Sequence, residues 1–165
     1  MADEHAPRSD PSPDLDSLDH ESYVRRAIEL ARTAGDRGDD PFGSLLVRDG
    51  TVVMEEANRE VTDDDIALHP ELTLARRAAS EMAPDERAAT VMYTSTEPCS
   101  MCATGIGFAG LGAVVYSVAG ATAADEVGGA PGIPSPEVFD RWDADVEVVG
   151  PVLETEGLAV HRDYR

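Results

Sequence analysis

The two cysteines of this chain stand three positions apart in Pro98-Cys99-Ser100-Met101-Cys102, directly after a short apolar run, Thr90–Ser95. Thirty residues earlier (99 − 69), His69-Pro70-Glu71 opens the stretch HPELTLARRAASEM. In that stretch Leu72, Leu74, Ala75, Ala78 and Ala79 recur at helical spacing, and Pro70 suits the first turn, where a missing N–H costs nothing. Ser100–Ala109 is apolar and small and is predicted to be a second helix. One helix, one strand and their turns fill the gap between the motifs. A fold that uses both must therefore bring two helix starts side by side at one end of a sheet.

A Cys-x-x-Cys pair has three chemical uses: a redox couple, half of a closed structural zinc site, or two ligands of a catalytic zinc. The redox use belongs after the first strand of its fold and leaves His69 and Glu71 unexplained. A closed site needs a fourth ligand. There is no third cysteine, His5 and His20 lie in weak contexts, and His161 is read as a surface histidine. One histidine and two cysteines leave one position of a tetrahedral Zn²⁺ open, which is what catalysis requires. A helix N-terminus also favours thiolate over thiol. Glu71, two residues past the histidine, can face a metal-activated water without ligating the metal and can take its proton.

The remaining elements follow from pattern. Tyr23, Val24, Ala27, Ile28, Leu30 and Ala31 predict an amphipathic helix beginning at Asp19, with Gly35 as its stop. Apolar runs on either side of Asp49-Gly50 predict a hairpin with strands near 44–48 and 51–57. Gly112–Val118 reads as another strand. A loop rich in Gly and Pro is expected from there to Pro136, then a short helix around 137–142, a strand at 146–149 and a closing helix near 152–161. Strands alternating with helices after one hairpin imply a three-layer α/β/α sandwich around a mixed five-stranded sheet. Residues 1–18 mix Asp, Pro and Ser without apolar periodicity and are expected to form a mobile acidic tail. Residues 19–165 would be a single domain, since 165 residues hardly suffice for two cores.

Charge narrows the function. Thirteen basic residues, every one an arginine, face 33 acidic ones, for a net charge of −20. A lysine-free acidic surface suits concentrated salt, where self-repulsion is screened over a few ångströms. A halophilic, high-salt cytosol is therefore expected. Such a surface argues against phosphate-backbone binding, which rests on basic residues displacing counterions. No apolar run is long enough to span a bilayer, and the N-terminal residues lack a secretory pattern, so a cytoplasmic location and no membrane partner are expected.

The segments DPFGSLLVRDG, EANRE, HPELTLAR and YTSTEPCSMCATGIGFAGLGAVVYSVAG, with H-x-E followed by P-C-x-x-C, resemble the cytidine deaminase-like superfamily. Within it they look most like the branch holding bacterial guanine deaminase, yeast-type cytosine deaminase and the tRNA adenosine deaminases. The resemblance spans about residues 20–120. One departure is Pro70, where the family usually has alanine. The resemblance implies one Zn²⁺ per chain held by His69, Cys99 and Cys102, with Glu71 as proton shuttle while a zinc-activated water displaces ammonia. It implies that Asn58 bonds the base and that groups around Ser44 and Glu97 line the pocket. Phe42 would be a pocket wall or a core anchor. Asp125, with its neighbour Glu126, would read the amidine edge, and Tyr164 would close over the pocket from the tail. The implied substrate is a small-molecule base or nucleoside, guanine or cytosine first, and the implied assembly is a homodimer. A tRNA wobble-adenosine deaminase and a non-catalytic zinc-containing ligand-binding member are the alternatives.

Overall fold

The computed structural model describes residues 11–164. Helix α1 (His20–Arg37) leads into the hairpin β1 (Gly43–Arg48) and β2 (Thr51–Ala57). Then come α2 (Pro70–Glu81), α3 (Pro84–Ala88), β3 (Thr90–Thr96), α4 (Ser100–Ala109) and β4 (Ala113–Val118). The chain ends with α5 (Gly120–Val127), α6 (Ser135–Arg141), β5 (Glu147–Val149) and α7 (Glu154–Asp163). The strands form one sheet in the order β2-β1-β3-β4-β5. Strand β1 pairs antiparallel with β2 and with β3, while β3–β4 and β4–β5 are parallel.

The sheet is mixed, five-stranded and covered on both faces, as the alternation of elements implied. Leu45, Val47, Val91, Tyr93 and Val115 pack against α1 and Val160 of α7 on one face. Leu46, Met92 and Val114 meet Leu74, Ala78, Ala103, Ile106 and Phe139 of α2, α4 and α6 on the other. Central strands buried on both sides read as continuous apolar runs, which is why β3 and β4 stood out without alternation. Asp49 and Gly50 both have positive φ, 51° and 72°, the signature of a type I′ hairpin turn.

Four expectations need correction. Helix α1 runs through Gly35 and stops at Gly38, φ 99°. Gly35 is a notch and not a terminator: a Cβ there would lie 2.6 Å from the Tyr164 ring. The expected loop up to Pro136 contains helix α5, whose one buried side chain, Ala123, left no apolar stripe to recognise. His161 is not a surface residue; it is 5 % exposed. Finally, residues 1–10 of the expected tail lie outside the described residues, but within 11–18 the chain already packs. Leu15–Ser17 form a 3₁₀ turn, and Leu15 is buried in the α1-side core. A single leucine carries no period, so this anchor was invisible. No helix among the described residues is long and apolar enough to cross a membrane.

Candidate active site

The two motifs meet as their spacing required. His69 is the N-cap of α2 with Pro70 at the first helical position, and Cys99 is the N-cap of α4. Helices α2 and α4 lie against one another on the same face of the sheet, and Gly105 sets their separation. A Cβ on Gly105 would sit 2.6 Å from Leu72 Cδ1. The close approach places the two helix starts together. Among the described residues, His69, Cys99 and Cys102 form the one group of three or more potential metal-ligating side chains, with donor atoms all within 4.8 Å of one another.

The separations fit zinc. His69 Nδ1 lies 3.7 Å from Cys99 Sγ and 3.5 Å from Cys102 Sγ. Tetrahedral Zn²⁺ with Zn–S of about 2.3 Å and Zn–N of about 2.0–2.1 Å requires an N···S separation of about 3.6 Å. The other imidazole nitrogen is already committed: Nε2 is 2.8 Å from Glu60 Oε2. That bond turns Nδ1 toward the cysteines and fixes the tautomer that can ligate. The Cys99 thiol is pushed down to about 4, first by the hydrogen bond from Cys102 and then by His69, against the cost of burial. Cys102, donating to Cys99 and buried, is pushed up. A metal bound there would displace the Cys102 proton, so loading the site would release it.

Glu71 is buried, 5 % exposed, and borders the cavity beside this cluster. Burial raises its pKa above the ordinary carboxylate value, and the hydrogen bond from Thr94 opposes that rise. Thr94 Oγ1 donates to Glu71 Oε1 at 2.7 Å and accepts from Ser44 Oγ at 2.8 Å. The carboxylate is thus held in one orientation by a hydroxyl chain running back into the sheet.

The cavity measures about 520 Å³ and is mainly apolar. Phe42, Thr96, the 97–101 turn, α5, the 128–133 segment and His161 enclose it. Phe42 therefore is a wall. Glu97 also borders it, but its carboxylate is occupied elsewhere. Oε2 accepts from Gly120 N at 2.9 Å, and Oε1 accepts from Ser135 N at 2.8 Å and Ser135 Oγ at 3.0 Å. It ties the starts of α5 and α6 to the active-site turn.

The remaining expected contacts are placed behind or beside the cavity. Ser44 is fully buried behind Glu71, reaching it only through Thr94. Asn58 is fully buried; its Nδ2 donates to Asp40 O at 3.2 Å and its Oδ1 accepts from Glu60 N at 3.1 Å. Its side chain shapes the loop that delivers Glu60. Asp125 is exposed on α5 and does not border the cavity. Tyr164 lies over Gly35, donates to Asp36 Oδ1 and borders a second, neighbouring cavity.

Four contributors escaped the sequence reading: Glu60, Asp39, Thr94 and His161. Asp39 accepts from Val61 N, Thr62 N, the Thr62 hydroxyl and Arg37 Nε at 2.8–3.0 Å, pinning the loop that carries Glu60. Glu60 and Asp39 sit in runs of acids, where no local signal separates one carboxylate from its neighbours.

An α/β/α sandwich with a His/Cys/Cys cluster and a buried glutamate at two helix starts defines a hydrolytic deaminase with a zinc-type site. The family model for the cytidine and deoxycytidylate deaminase zinc-binding region matches residues 17–118, and the chain belongs to that family. It is 30 % identical over 148 residues to a probable cytosine deaminase of Schizosaccharomyces pombe, covering 87 % of this chain and 90 % of the relative. The X-ray structure of guanine deaminase from Bacillus subtilis superposes with a TM-score of 0.59 at 34 % identity, over 64 % of this chain and 68 % of that one. A tRNA-specific adenosine deaminase of Agrobacterium fabrum is 33 % identical over 66 % of this chain and 68 % of its own.

Proposed function

We propose that the chain deaminates a free nucleobase or nucleoside, with guanine and cytosine as the leading substrates. The observation that carries this is the cavity. It is mainly apolar, about 520 Å³, and walled by α5, the 128–133 segment and α7, with Glu71 and the His/Cys/Cys cluster at one side. Its size suits a heterocycle, since small-ligand pockets run from about 300 to 1,000 Å³. The relatives include both base and tRNA deaminases at nearly equal identity, so identity does not choose. Charge favours the small molecule, because a net −20 repels phosphates.

His69 Nδ1, Cys99 Sγ and Cys102 Sγ would hold one Zn²⁺, which when bound lowers the pKa of water toward 7 and so supplies a nucleophile at neutral pH. Glu71 makes two proton transfers: it moves one proton of the attacking water to a ring nitrogen, and then carries the proton of the resulting hydroxyl to the leaving amine as the carbonyl forms. Water adds across the amidine carbon, the C–N bond to the exocyclic amine breaks, and ammonia leaves. Thr94 and Ser44 keep the Glu71 carboxylate aimed throughout. Phe42 supplies an apolar wall for the base.

The same proposal includes a cytosol rich in salt, supported by 33 acidic residues and no lysine. It also includes a homodimer. Phe108 and Trp142 support that, being 74 % and 58 % exposed with ring centroids 5.2 Å apart on the outer side of α4 and α6.

The test is ammonia release in molar KCl from guanine, cytosine, adenine, their nucleosides and a tRNA anticodon arm, with Glu71→Ala as the blank. Turnover of one free base or nucleoside is expected. Inosine in the RNA with no reaction on any small substrate would overturn the proposal in favour of the tRNA deaminase.

A further inference from the structure

Helix α7 presents one buried polar side chain that the chemistry above does not use. His161 Nε2 lies 2.9 Å from Thr96 Oγ1, at the end of β3 that leads into Glu97-Pro98-Cys99. Its ring meets Phe42 edge-on, with centroids 5.8 Å apart and planes at 62°. Its Nδ1 has no protein partner among the described residues. Nor is that nitrogen sealed off: the only fully buried, unpartnered side-chain nitrogen or oxygen among them is Arg87 Nε.

The ring borders the 520 Å³ cavity. It also borders the neighbouring cavity of about 700 Å³ that Asp40, Glu126 and Tyr164 line. His161 and Phe42 are therefore a shared wall between the two. The backbone behind is tightly packed. Val160 is in the core, and a Cβ on Gly157 would lie 2.4 Å from Ser117 Oγ, so α7 is pressed against β4. Burial lowers the imidazole pKa, while the Glu126 and Asp40 carboxylates oppose that shift, and the net direction is downward. A packing role alone would be served at less cost by an apolar residue, because a buried polar group must find partners. Here one nitrogen has its partner, the other has none among the described residues, and the residue borders both cavities.

We propose that His161 Nδ1 is a specificity-determining contact, hydrogen-bonding a polar edge of the neutral heterocycle while Thr96 holds the ring in place through Nε2. This rests on the deaminase reading above. It selects a base by the polar edge it presents to Nδ1, and it places the selecting atom on the tail helix, seven residues beyond the start of α7.

Two substitutions separate the roles of the two ring nitrogens. In His161→Gln the introduced amide reaches the position of Nε2 and can keep the bond to Thr96. The shorter amide in His161→Asn occupies the position of Nδ1 and loses Thr96. Each is measured for KM and kcat on free guanine and free cytosine. Each is also measured in a Glu71→Ala background for binding of the same bases by equilibrium dialysis, and for melting temperature. His161→Gln is expected to raise KM and Kd about tenfold, the scale of one lost hydrogen bond from a desolvated partner, with kcat changed much less and melting near native. His161→Asn is expected to melt lower but to keep more of the affinity. The reverse order, or unchanged KM and Kd in both, would reduce His161 to a packing group and overturn the inference. Zinc-loaded wild-type protein that neither binds nor turns over any free base or nucleoside would instead sink the small-molecule deaminase reading, and this inference with it, before any variant is made.

Discussion

Glu60→Ala isolates the one interaction that aims His69 at the metal site. The Glu60 Oε2–His69 Nε2 contact is 2.8 Å, with side chains 31 % and 23 % exposed. As an ion pair that accessible, it contributes at most about 1 kcal/mol to folding. As an outer-shell partner it counts for more. Loss of such a carboxylate typically costs about 10–100-fold in metal affinity, because the imidazole is freed to rotate or to adopt the wrong tautomer. That range is about 1.4–2.7 kcal/mol. The two figures predict a split. Melting of metal-stripped protein should shift little, whereas the zinc dissociation constant, from competition with a chromophoric chelator, should rise about 10–100-fold. By mass action the zinc-loaded melting temperature should then fall more than that of the stripped protein. Glu60→Gln, which keeps an acceptor but not the charge, should lie between. A zinc dissociation constant within about twofold of wild type for Glu60→Ala would refute the orienting role. A fall in stripped-protein stability as large as the fall in the loaded protein would show that Glu60 merely holds its loop.

Three further outcomes follow from the geometry. Glu71→Ala should lower turnover about 10²–10⁴-fold while zinc stays bound, as checked by metal analysis beside the ammonia assay; loss of zinc would make the glutamate structural. For Asp39, burial alone would raise the carboxyl pKa, but the Thr62 N–H, Arg37 and the Thr62 hydroxyl outweigh it and hold the group below its ordinary 3.8. The native state therefore binds fewer protons than the unfolded chain, so Asp39 stabilises above about pH 4 and that contribution fades as pH falls through the native pKa. Asp39→Asn should lower stability at pH 7 by about 1–3 kcal/mol and flatten the acid side of the stability–pH curve, and an unchanged acid limb in urea titrations would refute this. Gly35→Ala should be destabilising despite alanine's helix propensity, because its Cβ would lie 2.6 Å from the Tyr164 ring; a higher melting temperature would show that Tyr164 is not docked there.

Much of this molecule is written locally. The i, i+3, i+4 pattern of Tyr23–Ala31, the two apolar runs around Asp49-Gly50 and the doubly buried runs of β3 and β4 each carry their own period, so the sheet and its two helix layers were legible. The His69, Cys99 and Cys102 cluster was legible for the same reason. Cys99 and Cys102 share one helix turn, and Pro70 marks the helix start beside His69.

Other contacts join residues far apart in the chain and carry no such mark. Thr96 meets His161 at a separation of 65 residues, and Ser44 backs Thr94 at 50. No local period encodes which of several acids, Asp39, Glu60 or Asp125, will face the site, because each differs from its neighbours only in what packs against it. Asn58 and Tyr164 were assigned to the substrate by resemblance; what the packing adds is that Asn58 bonds Asp40 O and Glu60 N, and Tyr164 meets Gly35 and Asp36. Periodicity and helix-terminus chemistry were enough to set the elements and to single out His69, Cys99 and Cys102 as a candidate cluster before any fold was known. The pocket wall came from close packing, which pressed α7 against β4 and turned a histidine of an outwardly polar tail into a buried group at the cavity.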